Sequence, residues 1–157
     1  MPARSALSRV HAAAGMFAFA LISTFLAASA CAETSADPVL IAAVKRAIAW
    51  ALLLLVPALI ATGGSGFAMV GGRPAGLAAV KFRRMRIVAG NGLLVLVPAA
   101  LYLAWKAGQG AFDTGFVVVQ AIEFVAGGTN LLFMGLNIRD GLAMTRRRRM
   151  RPAGSGP

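Results

Sequence analysis

"AIAWALLLLVPALIATGGSGFAMVGG", residues 47–72, runs for 26 residues without a charge. An α-helix rises about 1.5 Å per residue, so about 20 apolar residues cross the ~30 Å hydrocarbon core of a bilayer. This stretch exceeds that length, and three others accompany it. There are 23 uncharged residues between Arg9 and Glu33, 19 between Arg86 and Lys106, and 25 residues between Asp113 and Arg139 whose only charge is Glu123. The expected fold class is an all-α integral membrane protein, a small bundle of three or four transmembrane helices.

Composition agrees with that reading. A chain of 157 residues that is 59% hydrophobic, with a mean hydropathy of +0.76, carries more apolar surface than a soluble domain of its size can bury. The 16 basic residues against 5 acidic ones sit at the edges of the apolar runs and form no groove-reading motif, so nucleic acid is not an expected partner. One cysteine, Cys31, excludes an intrachain disulfide. The single histidine, His11, precedes the first apolar run, and no cofactor or metal site is expected.

The basic residues set the expected orientation, because short cytoplasmic loops retain lysine and arginine. Arg4 and Arg9, then Arg73, Lys81, Arg83, Arg84 and Arg86, then Arg139, Arg146 to Arg149 and Arg151 make 13 on one side. Only Lys45, Arg46 and Lys106 fall on the other, together with Glu33, Asp37 and Asp113. Both ends are therefore expected in the cytoplasm. Arginine outnumbers lysine 13 to 3, a bias of GC-rich bacterial genomes, which points to a bacterial inner membrane.

Residues 1–32 read as a secretory signal peptide or as the first transmembrane helix. The small residues Ala28, Ser29, Ala30 and then Ala30, Cys31, Ala32 suit cleavage, the favoured of the two, while lipidation at Cys31 lacks the usual upstream leucine. Residues 33–46 form a short non-cytoplasmic segment. Residues 47–138 form the bundle, with a basic cytoplasmic loop at 73–86, and 139–157 form a basic cytoplasmic tail. Pro57 should kink the second span, with a break or tilted extension near Gly63 to Gly66. The glycines lack the lysine and hydroxyl residue of a phosphate-binding loop, so helix packing or a re-entrant turn is the reading there. "LLLLVPALI" at 52–60 resembles "LLVLVPAAL" at 93–101, a match that leucine-rich composition explains without a repeat.

The last span carries the sharpest local signal. Gln120, Glu123, Gly127, Asn130, Met134 and Asn137 recur at steps of three and four, which gathers them within about 100° of helix surface. Asn91, Pro98, Tyr102 and Trp105 share an arc of about 60° on the preceding span by the same rule. The short connection from Lys106 to Thr114 makes the two spans antiparallel neighbours. The polar faces should meet, with Tyr102 and Pro98 near Gln120 and Glu123, and Asn91 near Asn137. No lysine or arginine is expected at the depth of Glu123, so its acid should be protonated or partly protonated and hydrogen-bonded to Tyr102, Gln120 or the carbonyl freed by Pro98.

Glu123, Gln120, Asn130, Asn137, Tyr102 and Asn91 are the candidate intramembrane polar site. Two roles fit it. The first is glue between helices, with Gly127 and Gly128 allowing close approach, in a non-enzymatic accessory or structural subunit that packs on another membrane protein or on itself. The second is a proton- or cation-coupled site in an oligomeric transporter that uses Glu123. Catalysis finds no converging nucleophile, base or metal-ligand set, so no enzyme is expected.

Smaller features fit topology. Asp140 can pair with Arg139 or with the cluster at Arg83 to Arg86, and Gly141 can end the helix. The tail "TRRRRMR" is a topology determinant that can also hold anionic lipid at the cytoplasmic face. Trp50, Tyr102 and Trp105 suit an interfacial aromatic belt. A tag fused after Pro157 should be cleaved by protease only once the cytoplasmic side is opened; cleavage in intact spheroplasts would reverse the orientation.

Overall fold

The computed structural model describes residues 2–70 and 76–149, with side chains for 6–69 and 76–143. Every element among the described residues is a helix. Helix α1 covers Pro2–Ser35 and α2 covers Pro38–Val70. Helix α3, Leu77–Asn91, passes through a π turn at Gly92–Leu96 into α4, Val97–Gly108, and α5 covers Thr114–Arg149. With α3 and α4 taken as one rod, four helical stretches are long and apolar enough to cross a membrane.

The sequence specifies the two turns at one end of the bundle. Between α1 and α2, Ala36 adopts a left-handed φ of 54°, which reverses the chain within two residues. Asp37 then caps α2, its Oδ1 accepting the Val39 N–H at 2.9 Å, and Pro38 takes the first helical position, where its missing N–H costs nothing. Asp113 repeats the device for α5 by accepting the Phe116 N–H at 3.1 Å, and its other oxygen accepts from Lys106 Nζ at 2.5 Å.

The helices begin and end outside the uncharged runs, and this corrects several sequence expectations. Residues 33–46, apart from Ala36 and Asp37, are helical and belong to α1 and α2. Lys81, Arg83, Arg84 and Arg86 lie on α3 rather than in the connection, and Arg73 lies outside the described residues. Helix α5 does not stop at Gly141 but continues to Arg149. The arginine-rich tail, as an anionic-lipid contact, lies outside the described side chains and, from residue 150, outside the described backbone.

Helix α2 likewise runs unbroken through Gly63 to Gly66, with Pro57 inside it. The close approach expected of the glycines occurs at Gly66, where an added Cβ would strike the Met85 side chain and come within 3.2 Å of the His11 ring. That residue therefore sets how near α1 and α3 come to α2. Pro98, in contrast, follows the π turn, in which the Val97 N–H reaches back to the Gly92 carbonyl. A π turn is a common adjustment where the regular ladder is interrupted. The two proline segments thus differ in local geometry.

Helix α1 packs along α2 and α5, α2 on α4, and α3 on α5. Ala18, Ile22, Ile48, Leu52, Leu55, Val88, Ala100 and Met134 form one buried cluster, and Ala32, Ile41, Leu103, Ala107 and Phe116 form a second. The outward surface is apolar instead of polar. Trp50 is 70% exposed, Leu94 74% and Val125 72%, whereas Lys45, Asn130 and Ser29 are among the most buried side chains. A water-soluble bundle has the opposite arrangement.

The Lys106 hydrogen bond, followed by the Phe116 N–H, holds the Asp113 carboxyl below the ordinary carboxylate range. A depressed folded-state value adds stability that is complete above the unfolded value and disappears as pH falls through the folded one. Asp113→Asn should therefore be less stable than the wild type at neutral pH, with the gap closing below about pH 4. Thermal unfolding in detergent across that range checks it; a gap that widens in acid contradicts the assignment.

Candidate functional site

Glu123 does not stand alone. Lys45 Nζ donates to its Oε2 at 2.7 Å, and Gln120 Nε2 donates to the same oxygen at 3.0 Å. Lys45 also donates to Ser29 Oγ at 3.0 Å. Lys45 is 1% exposed and Glu123 8%, so the pair is closed off from its surroundings. One ammonium therefore joins α1, α2 and α5.

This overturns the expectation that no cation lies at the depth of Glu123. The reason is geometric: counting from Arg46 located the start of the apolar run, but α2 starts at Pro38, which places Lys45 two turns inside the helix on its inward side. The Asp37-Pro38 pair was the available signal, since a capping aspartate followed by proline marks a helix start. Ser29 was missed as well, hidden among the small residues of a stretch that resembles a cleavage site. At about 1.5 Å per residue, Ser29, Lys45 and Glu123 lie about 9 to 14 Å from the nearest ends of their helices, near one end of the bundle and away from its centre.

The cluster has more acceptors than donors. Glu33 lies within electrostatic reach of Lys45 and Glu123, which gives two carboxylates to one ammonium. Glu33 Oε1 and Gln120 Oε1 are buried without a hydrogen-bond partner. A cavity of about 40 Å³ adjoins Ser29 and Glu123, with otherwise apolar walls. That volume holds a water molecule.

The face expected on α5 is real: Gln120, Glu123, Gly127, Asn130 and Met134 are all buried, and Asp140 extends it. Gly127 is a close approach, where an added Cβ would lie 2.8 Å from Leu26 of α1, whereas Gly128 faces open space. The matching face on the preceding rod is only partly formed. Asn91 does turn to α5, but it meets Asn130 rather than Asn137, donating to its Oδ1 at 2.8 Å and to the Ala126 carbonyl at 2.9 Å. Asn130, 0% exposed, donates in turn to the Val88 carbonyl at 3.3 Å. Asn137 lies two turns further along and donates to the Lys81 carbonyl at 3.5 Å, its Oδ1 buried and unpartnered.

Pro98 and Trp105 are exposed, and Tyr102 packs beside Trp105 and Lys106 with its hydroxyl against Gly115 at the start of α5, short of Glu123. The π turn explains the loss. One inserted residue rotates everything after it by about 100°, so a constant angle per residue carried on from Asn91 misplaces Pro98 and Trp105, which face outward, and shifts Tyr102 to the flank of the helix.

At the opposite end, Asp140 Oδ2 accepts from Arg84 at 2.7 Å and its Oδ1 from Arg139 at 3.1 Å, the pairing expected from sequence. His11 Nδ1 lies 2.9 Å from the Thr62 carbonyl and 3.3 Å from Ser65 Oγ. Among the described residues no group of histidine, cysteine, aspartate and glutamate could hold a metal ion.

No protein-family model, curated protein or solved structure matches the chain.

Removing one partner of a buried ion pair leaves an uncompensated charge and costs about 3–5 kcal/mol, whereas replacing both with apolar groups is close to neutral. Glu123→Leu should accordingly destabilise the protein by that amount and Lys45→Met/Glu123→Leu should recover most of it. Unfolding in mixed micelles by added dodecyl sulfate measures both; a silent Glu123→Leu variant contradicts the pairing.

Proposed function

We propose that this chain is a multi-pass protein of a bacterial inner membrane, with its basic end in the cytoplasm, and that it acts as a non-enzymatic accessory or structural subunit. The observation that carries this reading is the direction in which its polar groups point. Lys45 with Glu123, Asn91 with Asn130, and Arg84 with Asp140 pair within the chain, one pair near each end and one between them. Polar residues that join helices in this way fix the register of a bundle, since an unpaired partner in hydrocarbon is costly.

The outward surface suits association with another apolar surface. Gly128 and Gly135 lie seven residues apart on α5, and an added Cβ at either meets nothing within 4 Å. Bare backbone of this kind lets a partner helix approach closely. Helix α1 is read as part of the working bundle, because it gives Ser29 to Lys45 and places Leu26 against Gly127. On this reading the amino terminus of the purified protein retains α1, and sequencing it checks the point.

A second reading rests on the surplus of acceptors around Lys45. Two carboxylates to one ammonium leave a net negative charge that one proton would cancel, and the 40 Å³ cavity beside Glu123 offers a place for a relaying water. This is the transporter alternative, with the Lys45 and Glu123 pair in place of a lone acid.

Mass measurement of the detergent-solubilised protein, purified from its native membrane, separates the readings. The accessory role gives a complex with a second membrane protein, or a self-associated form heavier than the 16.2 kDa chain, and Gly128→Leu/Gly135→Leu should disrupt it. A lone oligomer that takes up a solute in response to a pH gradient, with uptake abolished in Lys45→Met/Glu123→Leu, supports transport. A monodisperse monomer contradicts both.

A further inference from the structure

A second cavity is distinct from the Lys45 cluster. It has a volume of about 260 Å³ and lies between α1, α2, α3 and α5, toward the basic end of the bundle. It exists because its walls carry little side chain at Gly15, Gly63 and Gly141. The remaining surface is mostly apolar, with Met16, Met85 and Met134, whose unbranched thioethers adapt to an irregular occupant.

Three polar side chains interrupt that lining: His11, Lys81 and Asn137. Each has chemistry to spare. His11 uses Nδ1 toward Thr62 and Ser65, which leaves its other ring nitrogen. Asn137 Oδ1 is buried and lacks a donor. Lys81 lies within electrostatic reach of Asp140, a carboxylate that Arg84 and Arg139 also engage. Arg83 and Arg86 are exposed on the same stretch of α3.

An apolar recess with a few convergent polar groups is the usual form of a small-molecule site. We propose that this cavity holds one acyl chain of an anionic phospholipid, with the phosphate at Lys81 and His11 and a head-group hydroxyl on Asn137 Oδ1. Charge complementarity decides the occupant. The end of the bundle is strongly basic, the recess is apolar, and the neighbouring solvent is lipid, so the ligand that matches all three is an acyl chain attached to a phosphate. Phosphatidylcholine, in contrast, brings a second cationic group to an end of the bundle that is already basic.

The proposal deepens the membrane reading above and rests on it. Full-length protein in mild detergent is stripped of lipid, exposed to equal phosphatidylglycerol and phosphatidylcholine, and weighed by native mass spectrometry. Wild type should keep phosphatidylglycerol roughly fivefold better, the equivalent of about 1 kcal/mol for one basic residue near the head group. Lys81→Met should keep one lipid but lose the preference. Gly63→Leu should lose the bound lipid, because Gly63 lines the cavity and an added Cβ there meets nothing within 4 Å, which leaves the leucine room to occupy that space.

Leucine also favours a helix over glycine, so this variant is expected to fold. Inorganic phosphate at the same concentration should not displace the lipid. Equal retention of the two lipids by wild type, undiminished phosphatidylglycerol on Gly63→Leu, or displacement by phosphate alone would each overturn the site. A chain that stays dissolved without detergent would instead overturn the membrane reading, which keeps the two failures apart.

Discussion

The ammonium of Lys45 is the constraint on which the arrangement of the other helices depends. It is nearly inaccessible, and it is satisfied only where α1 brings Ser29 and α5 brings Glu123 to the same point as α2. Those positions are separated by 16 and 78 residues, so three segments distant in the chain must be in register before the charge is paired. A slip of one residue along any of these helices rotates its side chain by about 100° and leaves an ion without a partner. Apolar packing tolerates such slips far better, because leucine against leucine changes little with register.

The Asn91 and Asn130 pair performs the same service between α3 and α5, at the level where the π turn begins. Gly92 stands against Asn130 there, an added Cβ falling 3.6 Å from its Nδ2. The amides, the π turn and the glycine coincide, so this crossing is fixed by hydrogen bonds more than by bulk. Polar pairing at both ends and in between, with apolar side chains turned outward, gives a bundle whose specificity lies inside and whose solvent is expected to be hydrocarbon.

Much of this could be read from the sequence, because the cues were periodic. The uncharged runs gave four helical spans, and the steps of three and four from Gln120 to Asn137 gave the inward face of α5 without reference to coordinates. The partners on that face were less accessible, for two local reasons. Lys45 falls in the short segment before the bundle when charge is taken to delimit helices, although the capping Asp37 and Pro38 precede it. The outward facing of Pro98 and Trp105 is not legible because a π turn leaves no mark in composition, and an angular argument fails silently once a residue is inserted. Ser29 and Lys45 thus had to be seen together before the environment of Glu123 could be stated.

The two proposed roles differ in what the Lys45 cluster does with its spare acceptors, but both require the pair itself. Its most direct test is a dipolar distance measurement by solid-state NMR between Nζ of labelled Lys45 and the side-chain carboxyl carbon of labelled Glu123, made on the protein in lipid bilayers. Strong dephasing is expected, as for an ammonium that lies 2.7 Å from a carboxylate oxygen. Absence of coupling, with Lys45 instead reporting an aqueous ammonium at the bilayer surface, would contradict the account.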